Sequence, residues 1–212
     1  AAVVTTALGR PAYGGTPSDD SIARAIRDLK RRGMSVVFYP FLFMDIPSGN
    51  ALPDPWTGGV GQPAYPWRGR ITCDPAPGRP GTVDQTAAAA SQVAAFFGTV
   101  TRNQVSVSVD PTTNAVITVY SGPAEWSYRR FILQYARLCA AINAIDPGAV
   151  DAFLVGSELR ALCAVRDSAT HFPAVDHLKA LAADAKAILG SGVKVSYAAD
   201  WSDYGRHQPG DG

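Results

Sequence analysis

The sequence predicts an α/β fold in which helices alternate with the strands of a parallel sheet. Three observations carry this. Residues Asp151 to Arg160 read as a short apolar run, a turn of small residues and then a carboxylate, Glu158, where the strand should stop. Residues Met34 to Asp45 are nearly all apolar, as expected of a strand buried on both faces of a parallel sheet. Helical periodicities accompany both runs, and helix followed by buried strand, repeated, is the pattern of βα units. A residue at the C-terminal end of a parallel strand points into the mouth of an α/β barrel or sheet, where such folds place their chemistry.

The first helix is predicted from about Ser18 to Arg32, with Ile22, Ala25, Ile26 and Leu29 on one face, Asp19 and Asp20 in its first turn and Gly33 at its end. The apolar strand after it should end or bulge at Pro40, which cannot donate to a ladder. Residues 46–83 form a long loop rich in Pro, Gly and aromatics, whose Trp56, Tyr65 and Trp67 argue for order. Thr82 or Asp84 is placed to cap an Ala-rich helix ending at Phe96, Phe97 and Gly98. Residues 104–120 alternate apolar with polar around Asp110-Pro111-Thr112-Thr113-Asn114, a β-hairpin pattern. A helix follows from about Glu125 to Ile145, its stripe carried by Phe131, Tyr135, Leu138 and Ile142 and widened by Ile132 and Cys139. After the Glu158 strand, Pro173 to Leu189 makes another helix, and Val193 to Trp201 another strand with a carboxylate, Asp200, at its end.

Composition narrows the function. A chain of 212 residues with formal net charge +1 and 47% hydrophobic residues suits one folded domain with a sizeable core, and suits neither a disordered chain nor a nucleic-acid binder. No apolar run is long enough to span a bilayer, and Ala1 to Thr6 lack the features of a signal peptide. Cys73, Cys139 and Cys163 lack metal-like spacing and read as structural or free thiols. Neither a metal site nor a cofactor is expected.

Three strand ends thus carry acidic residues: Asp45, Glu158 and Asp200. In a parallel barrel they converge on one face, and glycoside cleavage needs two carboxyl groups there, one to protonate the leaving oxygen and one to attack or to activate water. Glu158 is the first catalytic candidate. The competing reading is that Glu158 opens the next helix, an acidic group favoured by the N-terminal dipole and by Arg160. Trp201, Trp67, Trp56 and Tyr39 could offer flat apolar faces to sugar rings, or could be ordinary core and loop anchors.

Several segments, taken in order, resemble a family: Thr16 to Asp20 with its helix, Tyr39-Pro40-Phe41, Trp67-Arg68-Gly69, Ser127 to Ile132, Gly156-Ser157-Glu158-Leu159 and Tyr197 to Trp201. They recur in mannanase-like clan A glycoside hydrolases. The resemblance is closer to the glycoside-hydrolase TIM-barrel-like domain of the baseplate or host-specificity protein of gene transfer agents and related phage tails, whose long loop resembles Asn50 to Pro55 and Gln62 to Cys73. It covers almost the whole chain except the hairpin and the first few residues.

This resemblance implies a (β/α)8 TIM-barrel-like fold, present in part as about strands 2 to 5, with the hairpin inserted and residues 1–212 forming a single segment. The Val36 strand would be the third, the Glu158 strand the fourth and the Val193 strand the fifth, with residues near Val3 at best the second. Glu158 becomes the general acid/base, in apolar surroundings, and the clan's nucleophile, from the seventh strand, lies outside the chain. Tyr39, Asp45, Trp67, Arg68, Ser157, Tyr197, Asp200 and Trp201 become substrate-binding candidates. Two departures are visible: Ser157 stands where relatives usually have a sugar-contacting Asn, and Tyr39-Pro40-Phe41 where they have Lys-Pro-His. The implied partners are cell-envelope polysaccharide and other tail or baseplate proteins, in a virion or gene-transfer-agent particle assembled from protein made in the bacterial cytoplasm. A non-catalytic structural or carbohydrate-binding module is the alternative.

Overall fold

The structure, a computed structural model, describes residues 6–7, 10–11, 17–113 and 115–203. The elements run β1 (Thr6–Ala7), β2 (Arg10–Pro11), α1 (Asp19–Arg31), β3 (Val37–Phe38), α2 (Ala87–Phe97), β4 (Val105–Val109), β5 (Val116–Tyr120), α3 (Tyr128–Ile145), β6 (Ala152–Ser157), α4 (Arg160–Cys163), α5 (Pro173–Leu189) and β7 (Lys194–Ala198). β1 and β2 make a two-residue antiparallel ladder, β4 and β5 a separate hairpin, and the remaining strands one sheet in the order β3-β6-β7.

β3 and β6 are parallel, with Val37 opposite Ala152 and Phe38 opposite Phe153. β6 and β7 also advance together: Lys194 N–H donates to Asp151 O and Glu158 N–H to Ala198 O, both at 2.9 Å. A mixed α/β fold with a parallel sheet therefore stands, in the expected strand order. Among the described residues the sheet is open, three strands wide, and does not close into a barrel. Val3, expected in an earlier strand, lies outside the described residues.

The Met34–Asp45 expectation is corrected in length. Only Val37 and Phe38 pair as strand, because Pro40 has no N–H to give the ladder. Asp45 consequently sits in a loop beyond the strand and not at its end.

The chain divides into two compact units, the first of residues 1–40, 98–155 and 181–196, the second of 41–97, 156–180 and 197–212. In the first unit, Ser18 caps α1 by accepting from Ser21 N–H at 3.2 Å. The buried line of α1 is Ala23 and Ile26, while Ala25 and Leu29 face outward, so the helix is rotated from the expected stripe. α3 begins at Tyr128 and not at Glu125, because the Ser127 hydroxyl accepts from Arg130 N–H at 3.3 Å and caps it there. Its burial extends beyond the expected stripe to Leu133 and Ala136, since the β4–β5 hairpin also packs against it. The hairpin is a sheet of its own, as expected, but it is not apart from the rest: Thr118 Oγ1 donates to Asp19 Oδ2 at 3.0 Å. Phe38 stacks on Phe153 with centroids 5.9 Å apart and meets Tyr135 at 5.5 Å, which joins β3, β6 and α3 in one aromatic core.

In the second unit the long loop is ordered by its own polar side chains. Asn50 uses all of its amide: Nδ2 donates to Pro47 O and Gln62 O, and Oδ1 accepts from Leu52 N–H and Gln62 N–H. Buried Asp54 accepts from Trp56 N–H at 3.0 Å and pairs with Arg70 at 3.2 Å. The Trp56 indole N–H donates to Arg70 O at 2.9 Å, so this tryptophan anchors the loop. Asp84 does not cap α2. That role falls to Thr86, whose hydroxyl accepts from Ala88 N–H at 3.2 Å, while Asp84 takes Arg166 N–H at 2.6 Å and its guanidinium at 3.1 Å.

All three cysteines are free and buried. Burial pushes the thiols of Cys73 and Cys139 upward, and that of Cys163 up to about 11.

Two predictions follow from the first unit. Gly98 has φ +74°, and a Cβ there would lie 2.2 Å from the Ser127 Cβ and 2.5 Å from Glu125 Oε1. Gly98→Ala should cost about 2 kcal/mol or more, the combined penalty of left-handed backbone and overpacking, read from urea denaturation. Glu125 is held down to about 2 by hydrogen bonds from Ser127 and then Thr99, with further help from the Val100 N–H. A lowered folded value means that its contribution is full above the ordinary value of 4.5 and is lost as pH falls toward 2. Thermal melts across that window should show a shallower acid destabilisation for Glu125→Gln than for the wild type.

Candidate functional site

The site is built where β6 stops. Ser157 is the last residue of the strand, and Glu158 has φ +49°, a left-handed conformation that a side-chain-bearing residue adopts at a cost of about 1–3 kcal/mol. Two bonds from the chain around the end of β7 hold it there: Glu158 N–H donates to Ala198 O, and Leu159 N–H donates at 2.7 Å to the Tyr197 hydroxyl. The turn throws the Glu158 side chain out of the strand before α4 begins at Arg160. Glu158 precedes the helix's capping residue, Leu159, so it is not an acidic group of the helix's first turn.

Two residues of the long loop reach this carboxylate. The Trp67 indole N–H donates to Glu158 Oε2 at 2.9 Å, and Arg68 Nη2 lies 2.7 Å from the same oxygen. Arg68 also donates to Ser157 Oγ, from Nε at 3.3 Å and Nη2 at 3.1 Å, and its guanidinium lies 4.5 Å over the Phe41 ring. The apolar surroundings expected for Glu158 are thus replaced by an ion pair and an indole donor. Gly69 makes the arrangement possible: a Cβ on it would fall 2.4 Å from the Trp67 ring. α4 packs against the 3-10 turn Arg68–Arg70, which fixes the loop beside the strand end.

The structure therefore brings together Glu158, Ser157, Trp67 and Arg68, with Tyr197 behind them. Ser157 is 1% exposed, so its hydroxyl serves Arg68 and is shielded from solvent, whereas the Glu158 side chain is 33% exposed. Tyr197 acts through its bond to Leu159, and burial pushes its phenol upward. Asp200 closes a turn of its own, accepting from Ser202 N–H at 2.9 Å and from the Ser202 hydroxyl. Trp201 is 89% exposed, in a 3-10 turn after β7. Tyr39 belongs to the first unit and Asp45 is an exposed loop residue of the second. Reading the sequence for function overlooked the Phe41 platform, where Phe41 counted only as a missing polar group. The signal available was the run Trp67-Arg68-Gly69 itself, a large ring beside a residue with no side chain.

Fold and site together define an α/β protein with a parallel sheet and a ligand-accessible carboxylate at the end of its central strand. Residues 126–212 match the family model of the GTA TIM-barrel-like domain, which relates this part of the chain to gene transfer agent proteins. The matched span holds Ser157, Glu158 and the end of β7, and leaves out the loop that supplies Trp67 and Arg68. No curated protein gives a match. Among the described residues no helix is long and apolar enough to cross a membrane, and no group of metal-ligating side chains gathers.

The backbone at Glu158 sets a stability order. Glu158→Gly and Glu158→Ala remove the same carboxylate contacts, but only glycine relieves the left-handed backbone. Glu158→Gly should be the more stable of the two by about 1 kcal/mol in denaturant titrations. Equal stabilities would remove the strain from the account of the site.

Proposed function

We propose that this chain is a glycan-recognising, glycoside-hydrolase-like segment of a (β/α)8 barrel, about its second to fifth strands, within a gene transfer agent or phage tail baseplate protein. Its ligand is cell-envelope polysaccharide, its neighbours are other tail or baseplate proteins, and its place is the particle. The observation that carries the reading is Glu158: a strand-end carboxylate on a strained turn, partly open to solvent and held by Trp67 and Arg68. Strain at a strand end is a common companion of function, and the match to the TIM-barrel-like domain spans this residue.

In this reading Glu158 exchanges a proton with the glycosidic oxygen as general acid and then with water as general base. Retention of configuration needs a second carboxyl group roughly 5 to 5.5 Å away as nucleophile. Asp45 lies in a loop and Asp200 accepts from Ser202 in a turn of its own; the resemblance to clan A glycoside hydrolases implies that the second carboxylate comes from a later strand. Ser157 and Arg68 favour a second reading, a carbohydrate-binding module without turnover. Where a sugar-contacting amide would stand, the chain has a buried hydroxyl that holds an arginine against the carboxylate.

The test is release of reducing ends from envelope polysaccharide by the full-length protein. Glu158→Gln should lower the rate by about 100-fold or more, the usual contribution of a general acid–base group. Unchanged hydrolysis in that variant would show the acid/base assignment to be wrong. Polysaccharide binding with no hydrolysis by the wild type would establish the binding module in its place.

A further inference from the structure

Resting on the reading of this site as a glycan site, we infer that Arg68 and Glu158 act as one neutral recognition unit, selecting uncharged sugars through a pair of adjacent hydroxyls and rejecting acidic ones. Arg68 spends Nε and Nη2 on Ser157 Oγ, and Nη2 also on Glu158 Oε2. Trp67 donates to the same Oε2. Among the described residues this leaves Arg68 Nη1, with two N–H donors, and Glu158 Oε1, an acceptor, without protein partners.

A donor beside an acceptor, each fixed by its other contacts, matches two neighbouring hydroxyls of a pyranose, one accepting from Nη1 and the other donating to Oε1. The guanidinium is held from three directions, by Ser157, by Glu158 and by the Phe41 face at 4.5 Å, so little side-chain entropy remains to be lost on binding. Trp67, 42% exposed, adds a ring face beside the pair. Arg68 is a bidentate anion receptor by nature, but here its charge is already matched by Glu158 at 2.7 Å. A uronate carboxylate would have to displace Glu158 or face it, and like charges at contact are unfavourable.

The experiment is an array of neutral manno- and gluco-tetraoses against oligogalacturonate, probed with the full-length protein. The wild type should retain a neutral tetrasaccharide about tenfold or more over the uronate, the value of one charged hydrogen bond. Glu158→Gln keeps shape and removes the matching charge, so uronate affinity should rise about tenfold. Arg68→Lys replaces the planar fork with a single ammonium, which cannot span Ser157, Glu158 and a ligand hydroxyl from fixed positions, and should lose neutral-sugar binding to a similar degree. A wild type that prefers oligogalacturonate, or a Glu158→Gln protein with unchanged preference, overturns the inference while leaving glycan recognition intact. A wild type that retains no oligosaccharide overturns the glycan reading as well.

Discussion

The interaction on which the rest depends is the anchoring of β6 at Asp151, the residue just before the strand. Asp151 takes Val36 N–H on its own carboxylate at 2.7 Å, donates its backbone N–H to Val36 O at 2.9 Å and accepts Lys194 N–H at 2.9 Å. One residue, through its carboxylate and its backbone, thereby sets the register of the central strand against both neighbours. Side chains alternate along a strand, so a slip by one residue would exchange every inward and outward position. Phe153 would leave the stack with Phe38, and Glu158 would no longer emerge where Trp67 and Arg68 wait. The placement of the carboxylate is thus decided seven residues before it.

Local pattern made much of this legible. The start of the first helix near Ser18, the Pro173–Leu189 helix and the hairpin alternation all rest on short-range rules and appear at the expected places. So does the strand ending at Glu158, because an apolar run closed by small residues has few other readings. The misjudged details each had a competitor. Asp84 looked like a helix cap and is instead claimed by Arg166, 82 positions away. Ala25 fitted the helical stripe, yet the hairpin and α3 draw burial toward Ala23. Asp45 looked like a strand end, but the ladder stops before Pro40, the residue expected to end or bulge it.

The site is less legible than the fold for a physical reason. Glu158 could be singled out from its strand alone, whereas its electrostatic setting comes from Trp67 and Arg68, 91 and 90 positions earlier in the sequence. Their arrival depends on a loop with almost no regular structure, pinned by Asn50, Asp54 and Asp84 through hydrogen bonds that leave no periodic trace. A polar side chain that saturates backbone groups does for such a loop what a ladder does for a strand. Removing one member would leave several backbone groups without the partner that places them, so order in this region is collective.

The three cysteines bear on where such a protein can work. It is the thiolate, and not the thiol, that attacks oxidants and disulfides, and burial pushes all three thiols upward, away from the thiolate form. The fold draws no strength from a cross-link and offers no exposed thiol to make one by accident. Within these residues, then, sulfur supplies packing volume in the core and neither a brace nor a point of attachment.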